Sequence, residues 1–308
     1  MFSDFTAAEL TAIFAMQGFA GLILFAVFVL MALGLAIIFG QMKVINMAHG
    51  EFMILGAYVT YLTSNAFAQH LPDIFGYYFL FAMVLAFLAA AALGALVEWG
   101  MIRFLYHRPL DTLLATWGLS LVMQQSYRSL FGAREVGVVI PDWLRGSYKI
   151  TDMVEVPISG LFVMAVALAA TVIVGLLMYR SRWGKQVRAV VQDRPMAGAV
   201  GINTARVDRM TFALGCGIAG IAGSAFTMIS STGPSSGQAY IVDTFLVVVF
   251  GGATSLMGTV ASAFTISQSQ SMLEFFIGGS MAKVMTLLAV VIILMFRPQG
   301  LFTLKVRR

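Results

Sequence analysis

The chain has 308 residues, of which 60% are hydrophobic and only 11% are charged. Soluble domains average about 45–50% apolar and about 25% charged residues, so the composition argues against a soluble enzyme, a nucleic-acid-binding protein and a disordered chain. It is typical of an integral membrane protein. A single cysteine excludes an internal disulfide, and three dispersed histidines make a metal centre an unfavoured interpretation.

Long runs with few charges divide the chain into candidate membrane segments, since a helix needs about 20 apolar residues to cross the bilayer. In chain order the runs cover residues 10–42, 52–69, 74–97, 112–131, 157–179, 210–231, 244–273 and 281–296. We therefore predict an all-α polytopic membrane protein, a bundle of about eight to nine transmembrane helices forming one domain over residues 1–308.

The seventh run is too long for one helix and contains Gly251, Gly252 and Ser255. We predict that it forms two short or partial helices, 241–250 and 257–273, around a glycine hinge. Irregular backbone at membrane depth is tolerated only where it is packed in protein or lines a wet cavity, so we expect the hinge inside the protein.

Positive charge predicts the orientation, because cytoplasmic loops carry an excess of Lys and Arg. Regions 103–108, 180–209 and 297–308 hold 13 of the 19 Lys and Arg residues, and we predict that they face the cytoplasm. The N-terminus, which starts with acidic but no basic side chains, and the charge-mixed loop 132–156 are predicted to lie outside. This orientation requires an odd number of crossings, which the broken seventh run can supply.

Asn46, His49 and Glu51 are polar residues between two apolar runs. Polar groups inside a membrane are costly and point to function. Alternatively, the stretch is an interfacial turn in which Asn46 caps the next helix and Glu51 favours its N-terminal dipole. For Glu51 the interpretation as an interfacial turn is favoured, whereas for Asn46 and His49 the functional and the structural interpretations are equally supported.

Uncharged polar groups also occur within two later runs, at Gln124–Gln125 and at residues 267–271. Such groups commonly hydrogen-bond between helices, but they can also line a route for a polar solute. The substrate-path candidates are Asn46, His49, Gln124 and Gln268.

Residues 193–202 have the pattern of a short capped helix in the basic loop 179–209. Asp193 is a good N-cap, Pro195 suits the first turn and Gly201 suits the stop position. A two-turn helix is marginal alone in water, which favours docking on a partner, and we expect Ala197→Arg to disrupt that docking. The alternative is a solvated basic loop.

No phosphate-binding loop G-x-x-x-x-G-K-[ST] occurs in the sequence, so we do not expect the chain itself to hydrolyse ATP. The match to G-x-G-x-x-G at 215–220 lies within an apolar run and is better explained by close helix packing. We expect no enzyme activity and no cofactor in this chain.

Several separated motifs resemble branched-chain amino-acid-type (LivH) ABC permeases: residues 45–51 with Gly56-Ala57-Tyr58, then Asp193…Ala197…Gly201-Ile202, then 217–223. The resemblance extends over essentially the whole chain. Within that group, stretches 112–121, 233–264 and 296–308 are more similar to urea permease subunits (UrtB).

This resemblance implies a multi-pass permease subunit in the bacterial inner membrane. It further implies a second related permease, two cytoplasmic ATPase subunits that bind ATP-Mg, and a periplasmic substrate-binding protein. The residues it assigns to ATPase coupling are Asp193, Arg194, Pro195, Ala197, Gly198, Gly201 and Ile202.

The predicted function is therefore alternating-access import, with urea as the first substrate. Branched-chain amino acids or short-chain amides are the alternative substrates. A stand-alone channel or secondary transporter is a competing interpretation.

Overall fold

The computed structural model describes residues 6–106, 108–252, 255–297 and 300–301. They form eleven α-helices: α1 (Ala7–Met42), α2 (His49–His70), α3 (Tyr78–Gly100), α4 (Pro109–Phe131), α5 (Ile158–Arg180), α6 (Arg182–Gln192), α7 (Arg194–Ala199), α8 (Thr204–Phe226), α9 (Ser236–Gly251), α10 (Leu256–Ile277) and α11 (Gly279–Phe296). Short 3-10 turns occupy Pro72–Tyr77, Ile102–Phe104 and Asp142–Leu144, and two strands pair as β1 (Ser147–Thr151) and β2 (Val154–Pro157).

The all-α polytopic fold is confirmed, and each predicted apolar run coincides with a helix or with the α9–α10 pair. Five stretches within the described residues are long and apolar enough to cross a membrane: Ala8–Met42, Pro72–Phe104, Ile158–Arg180, Thr204–Phe226 and Gly279–Phe296. Helices α2, α4 and α10 have 22 or 23 residues but are more polar, and α9 has 16 residues.

Helix α8 lies at the centre of the bundle, because its glycines let three other helices approach its backbone. A Cβ atom on Gly215 would lie 2.7 Å from the carbonyl oxygen of Gly34 in α1, and one on Gly220 would lie 2.5 Å from that of Ala86 in α3. A Cβ on Gly223 would overlap the carbonyl oxygen of Met53 in α2. The glycine motif in α8 therefore allows the helices to pack closely, as predicted.

Residues 43–48 do not continue away from α1 but turn back along it into the bundle. The His49 ring at the start of α2 lies 3.1 Å from the carbonyl oxygen of Met31, eleven residues before the end of α1. At 1.5 Å per residue this places the start of α2 about 16 Å back along α1. The irregular segment is buried at Val44, Asn46 and Ala48, as membrane depth requires.

Helices α2 and α9 begin at the same buried point. A Cβ atom on Gly237 would lie 2.6 Å from the carbonyl oxygen of Gly50, so the two first turns meet backbone to backbone. Helix α9 then runs towards the C-terminal end of α1, where the rings of Phe39 and Phe245 are 5.7 Å apart.

The predicted glycine hinge separates α9 from α10 and lies inside the protein. Gly251 and Gly252 are buried, Gly252 has φ +91°, and the Ser255 side chain caps α10 by accepting from the Gly258 N–H at 3.0 Å. Residues 253–254 lie outside the described residues. The prediction of two short or partial helices is wrong for α10, whose 22 residues pack antiparallel to α1.

Loop 132–156 and the turn before α3 meet at one end of the bundle. The Tyr78 hydroxyl donates to the Val139 carbonyl at 2.7 Å, and the Trp143 indole donates to the Gly76 carbonyl at 2.5 Å. Strands β1 and β2 form an antiparallel hairpin here, which the all-α prediction missed. The loop around Tyr106 and helices α6 and α7 meet at the opposite end, which is the predicted cytoplasmic end. His107 and the basic tail beyond Leu301 lie outside the described residues.

Candidate functional site

Asn46 forms a turn that leads into α2. Its side-chain oxygen accepts from the Ala48 N–H at 3.1 Å, whereas the N-cap position of α2 is Ala48 and has no side-chain cap. The expectation that Asn46 caps α2 is therefore wrong by two residues: the side chain closes an Asx-type turn instead. The residue is buried, and its Nδ2 has no hydrogen-bond partner among the described residues.

His49 is fully buried between α2 and α1. Its Nε2 lies 3.1 Å from the Met31 carbonyl oxygen. Because a carbonyl can only accept, Nε2 carries a proton and donates. The opposite ring nitrogen, Nδ1, has no partner in the described part of the chain.

Glu51 lies in the first turn of α2, as the helix-dipole interpretation predicts, but it is buried, with 1% of its surface exposed, so its predicted place at an interface is wrong. Its Oε1 accepts from the Gln124 side chain at 2.8 Å and from the Ser120 hydroxyl at 3.2 Å, both on α4. The Tyr127 hydroxyl donates to the Glu51 backbone carbonyl at 2.9 Å. Three residues of α4 thus converge on one residue of α2.

These contacts belong to a polar contact line that we call the α2–α4 seam, formed by Glu51 of α2 with Thr116, Ser120, Gln124 and Tyr127 of α4. Thr116 accepts from the Met47 N–H at 3.1 Å, which extends the seam to the segment before α2. Among the path candidates, Gln124 therefore lies with the 46–51 segment. Thr116 and Ser120 were not predicted, although the spacing of four between 116, 120 and 124 places them on one helix face.

Gln268 lies elsewhere. Its side-chain nitrogen donates to the Gly18 carbonyl at 3.2 Å, and the nearby Ser271 hydroxyl donates to the Gln17 carbonyl at 2.7 Å. Its amide also lies against Gly21 of α1, about 20 Å along that helix from Gly34, where His49 is located. The structure does not bring Gln268 together with the other path candidates, and its contacts are those of an interhelical tie.

The predicted capped helix in the basic loop is α7. The Asp193 carboxylate accepts from the Met196 N–H at 2.9 Å, and Pro195 lies in the first turn. Gly201 has φ +88°, and the Ile202 N–H donates back to the Ala197 carbonyl at 3.0 Å, which is the Schellman arrangement. Both ends of this six-residue helix are therefore closed by its own residues.

Helix α7 turns one small residue inward and its larger apolar residues outward. Ala197 is buried, whereas Met196 is 60% and Val200 is 69% exposed. The outward surface of α7 therefore carries two large apolar side chains. Pro195 and Gly198 are also exposed and leave the backbone of this surface accessible.

A polar network joins α7 to the bundle. Arg194 pairs with Asp208 of α8 at 2.6 Å, and its guanidinium lies 4.9 Å from the centre of the Tyr106 ring. The Tyr106 hydroxyl donates to Glu98 of α3 at 2.8 Å, and Glu98 pairs with Arg209 of α8 at 3.1 Å. These contacts connect α7 to α3 and α8 through charged and aromatic side chains.

The Asp193 cap gives a direct prediction for α7. Asp193→Ala removes the acceptor for the Met196 N–H and should cost about 1 kcal/mol of local helix stability. Hydrogen exchange of the amides from 196 to 202 should become about fivefold faster, since 1.4 kcal/mol corresponds to tenfold. Asp193→Ser, which retains a capping oxygen, should exchange nearly like the wild type. Unchanged exchange in Asp193→Ala would show that the cap does not hold α7.

The structure is thus a helical membrane bundle with a polar seam in its interior and an exposed capped helix at its basic end. The sequence comparison gives the family. Residues 18–296 match the family described as "Branched-chain amino acid transport system / permease component", and the chain belongs to this family. The predicted resemblance to LivH-type permeases is confirmed, and the family is one of transport components.

The curated relatives cover nearly the full chain. The chain is 25% identical over 302 residues to the high-affinity branched-chain amino acid transport system permease protein LivH of Escherichia coli K12. The alignment covers 94% of this chain and 95% of that protein. The chain is also 25% identical over 292 residues to the corresponding permease protein BraD of Pseudomonas aeruginosa, spanning 91% and 93%. No solved structure matches the chain. These names favour the alternative substrate class over urea.

Proposed function

We propose that the protein is a permease subunit of an ABC importer for branched-chain amino acids, located in the cytoplasmic membrane. The near full-length similarity to permeases named for these substrates supports the substrate class, which replaces urea as the leading interpretation. The five helical stretches that are long and apolar enough to cross a membrane support the multi-pass location.

The observation that carries this proposal is the surface of α7. A six-residue helix with two closed ends, two exposed apolar side chains and an ion-pair network to α3 and α8 supports docking of a partner on α7. In an ATP-driven importer that partner is an ATPase subunit, which binds the ATP-Mg. The complete assembly would contain two such ATPases, a second related permease and an external binding protein.

The test is ATP-driven uptake by the complete assembly in proteoliposomes. With ATP on the ATPase side and binding protein outside, labelled leucine should accumulate, and excess isoleucine or valine should compete. Excess urea or acetamide should leave leucine uptake unchanged. Competition by urea together with absent leucine uptake would contradict the amino-acid assignment. Uptake by the purified chain alone without ATP would contradict the ABC assignment.

A further inference from the structure

The buried carboxylates of the described residues differ in whether they form an ion pair. Four are buried, and three of them form ion pairs: Glu98 with Arg209 at 3.1 Å, Asp208 with Arg194 at 2.6 Å, and Asp243 with Lys283 at 2.7 Å. Glu51 is the fourth, and no described Lys, Arg or His side chain lies within ion-pair distance of it.

Glu51 accepts hydrogen bonds from neutral donors only, and only one of its two carboxylate oxygens is bonded. Both bonds, from Ser120 and Gln124, go to Oε1, and the buried Oε2 has no hydrogen-bond partner in the described chain. A carboxylate inside a membrane protein is costly unless a cation or further donors compensate it, and such residues mark substrate or ion pathways. The Glu51 carboxylate therefore lacks a neighbouring positive charge and a hydrogen-bond donor to Oε2.

Aromatic side chains lie next to this carboxylate. Tyr58, two turns after Glu51 on the same face of α2, stacks on Phe131 with ring centres 4.1 Å apart, and its ring centre is 5.2 Å from that of Tyr127. The Tyr58 hydroxyl is itself without a partner among the described residues. A carboxylate beside an aromatic surface matches the ammonium group and the aliphatic side chain of an amino acid.

Helix α4 is the more loosely packed of the two helices that form the seam. It packs on the rest of the bundle chiefly through α2, by the hydroxyl and amide groups of the α2–α4 seam and by the aromatic contacts of Tyr58. Water or a polar solute can replace such hydrogen bonds one at a time.

We propose that Glu51 binds the α-ammonium group of an amino-acid substrate as it passes along the α2–α4 seam, with the substrate's aliphatic side chain against Tyr58, Tyr127 and Phe131. This inference rests on the proposed function. The inference also makes the proposed function more specific. A neutral solute such as urea offers hydrogen-bond donors to Glu51, but it does not offer the positive charge that Glu51 lacks. An ammonium offers both.

The test compares Glu51→Gln and Glu51→Asp in the complete assembly with saturating leucine-loaded binding protein. Gln keeps the oxygen that accepts from Ser120 and Gln124 but removes the charge. Its maximal leucine uptake should fall at least about tenfold, as expected for the loss of a buried charge interaction. Assembly, thermal midpoint and the concentration of binding protein for half-maximal uptake should stay at wild-type values. Asp keeps the charge and should retain more uptake than Gln.

Ser126→Ala, at an exposed position of α4, is the control and should transport like the wild type. Wild-type uptake by Glu51→Gln would overturn the inference and leave the proposed function intact. Equal loss in both Glu51 variants with a lowered thermal midpoint would also overturn it, since that result indicates a structural tie. A wild-type assembly that does not take up leucine would overturn the proposed function and this inference together.

Discussion

Replacing Met196 with glutamate should reduce ATP-driven uptake by about a hundredfold, since central interface residues contribute about 2–4 kcal/mol and 1.4 kcal/mol is tenfold. Met196 is 60% exposed on α7, so the substitution leaves the fold of this chain unchanged. It places a carboxylate where the proposed ATPase contact is apolar, and that charge would be desolvated without a partner. Uptake and co-purification of the ATPase should be measured on the same membranes.

Gln192→Glu is the matched control, because it adds the same charge at an exposed position at the end of α6, one residue before the cap of α7. It should assemble and transport nearly normally. Equal loss in both variants would indicate a general charge effect, and normal uptake in Met196→Glu would refute the docking surface. The substitution expected from sequence, Ala197→Arg, is less informative, since Ala197 is buried and a bulky cation there would unfold α7 itself.

The second large effect is expected at Gly223, where α8 meets α2. A Cβ atom there would overlap the Met53 carbonyl oxygen, which is backbone and cannot move aside without shifting a helix. Gly223→Ala should therefore destabilise the protein by about 3 kcal/mol or more, at the upper end of overpacking effects. The measurement is the thermal midpoint of the purified chain in detergent, together with its yield in the membrane.

Gly175→Ala in α5 should instead stabilise the protein. No heavy atom lies within 4 Å of the added methyl group at this helical position, and alanine is favoured over glycine in helices by up to about 1 kcal/mol. A midpoint for Gly223→Ala equal to that of Gly175→Ala would show that the helices at Gly223 are not packed as closely as described.

The helices were predictable because charge placement alone defines the apolar runs. The broken segment at Gly251–Gly252 and the capped helix from Asp193 to Gly201 were predictable for local reasons, since glycine conformations and caps depend on adjacent residues. The hairpin β1–β2 was not predicted, because its strands have only five and four residues and lie in a charge-mixed loop. Both strands do alternate polar and apolar residues, as in Ser147-Tyr148-Lys149-Ile150-Thr151, so a pattern with a period of two was present in the sequence.

The site was only partly predictable. Asn46, His49 and Gln124 are recognisable as polar residues between or within apolar runs, but their partners depend on which helices become neighbours. Glu51 shows the difficulty most clearly: from sequence it has the place of a helix-dipole acid at a water interface. The structure buries it because residues 43–48 turn back into the bundle, and that path depends on tertiary packing rather than on the local sequence.

The α2–α4 seam has a consequence for the surrounding lipid. If α4 moved away from α2 and an acyl chain entered the gap, Glu51, Ser120 and Gln124 would lose their hydrogen bonds and face hydrocarbon that can form none. An aliphatic seam would carry no such penalty, because lipid tails are as apolar as leucine. The hydroxyls and amides of α4 therefore oppose the entry of lipid into the seam, whereas water and polar solutes could replace their hydrogen bonds.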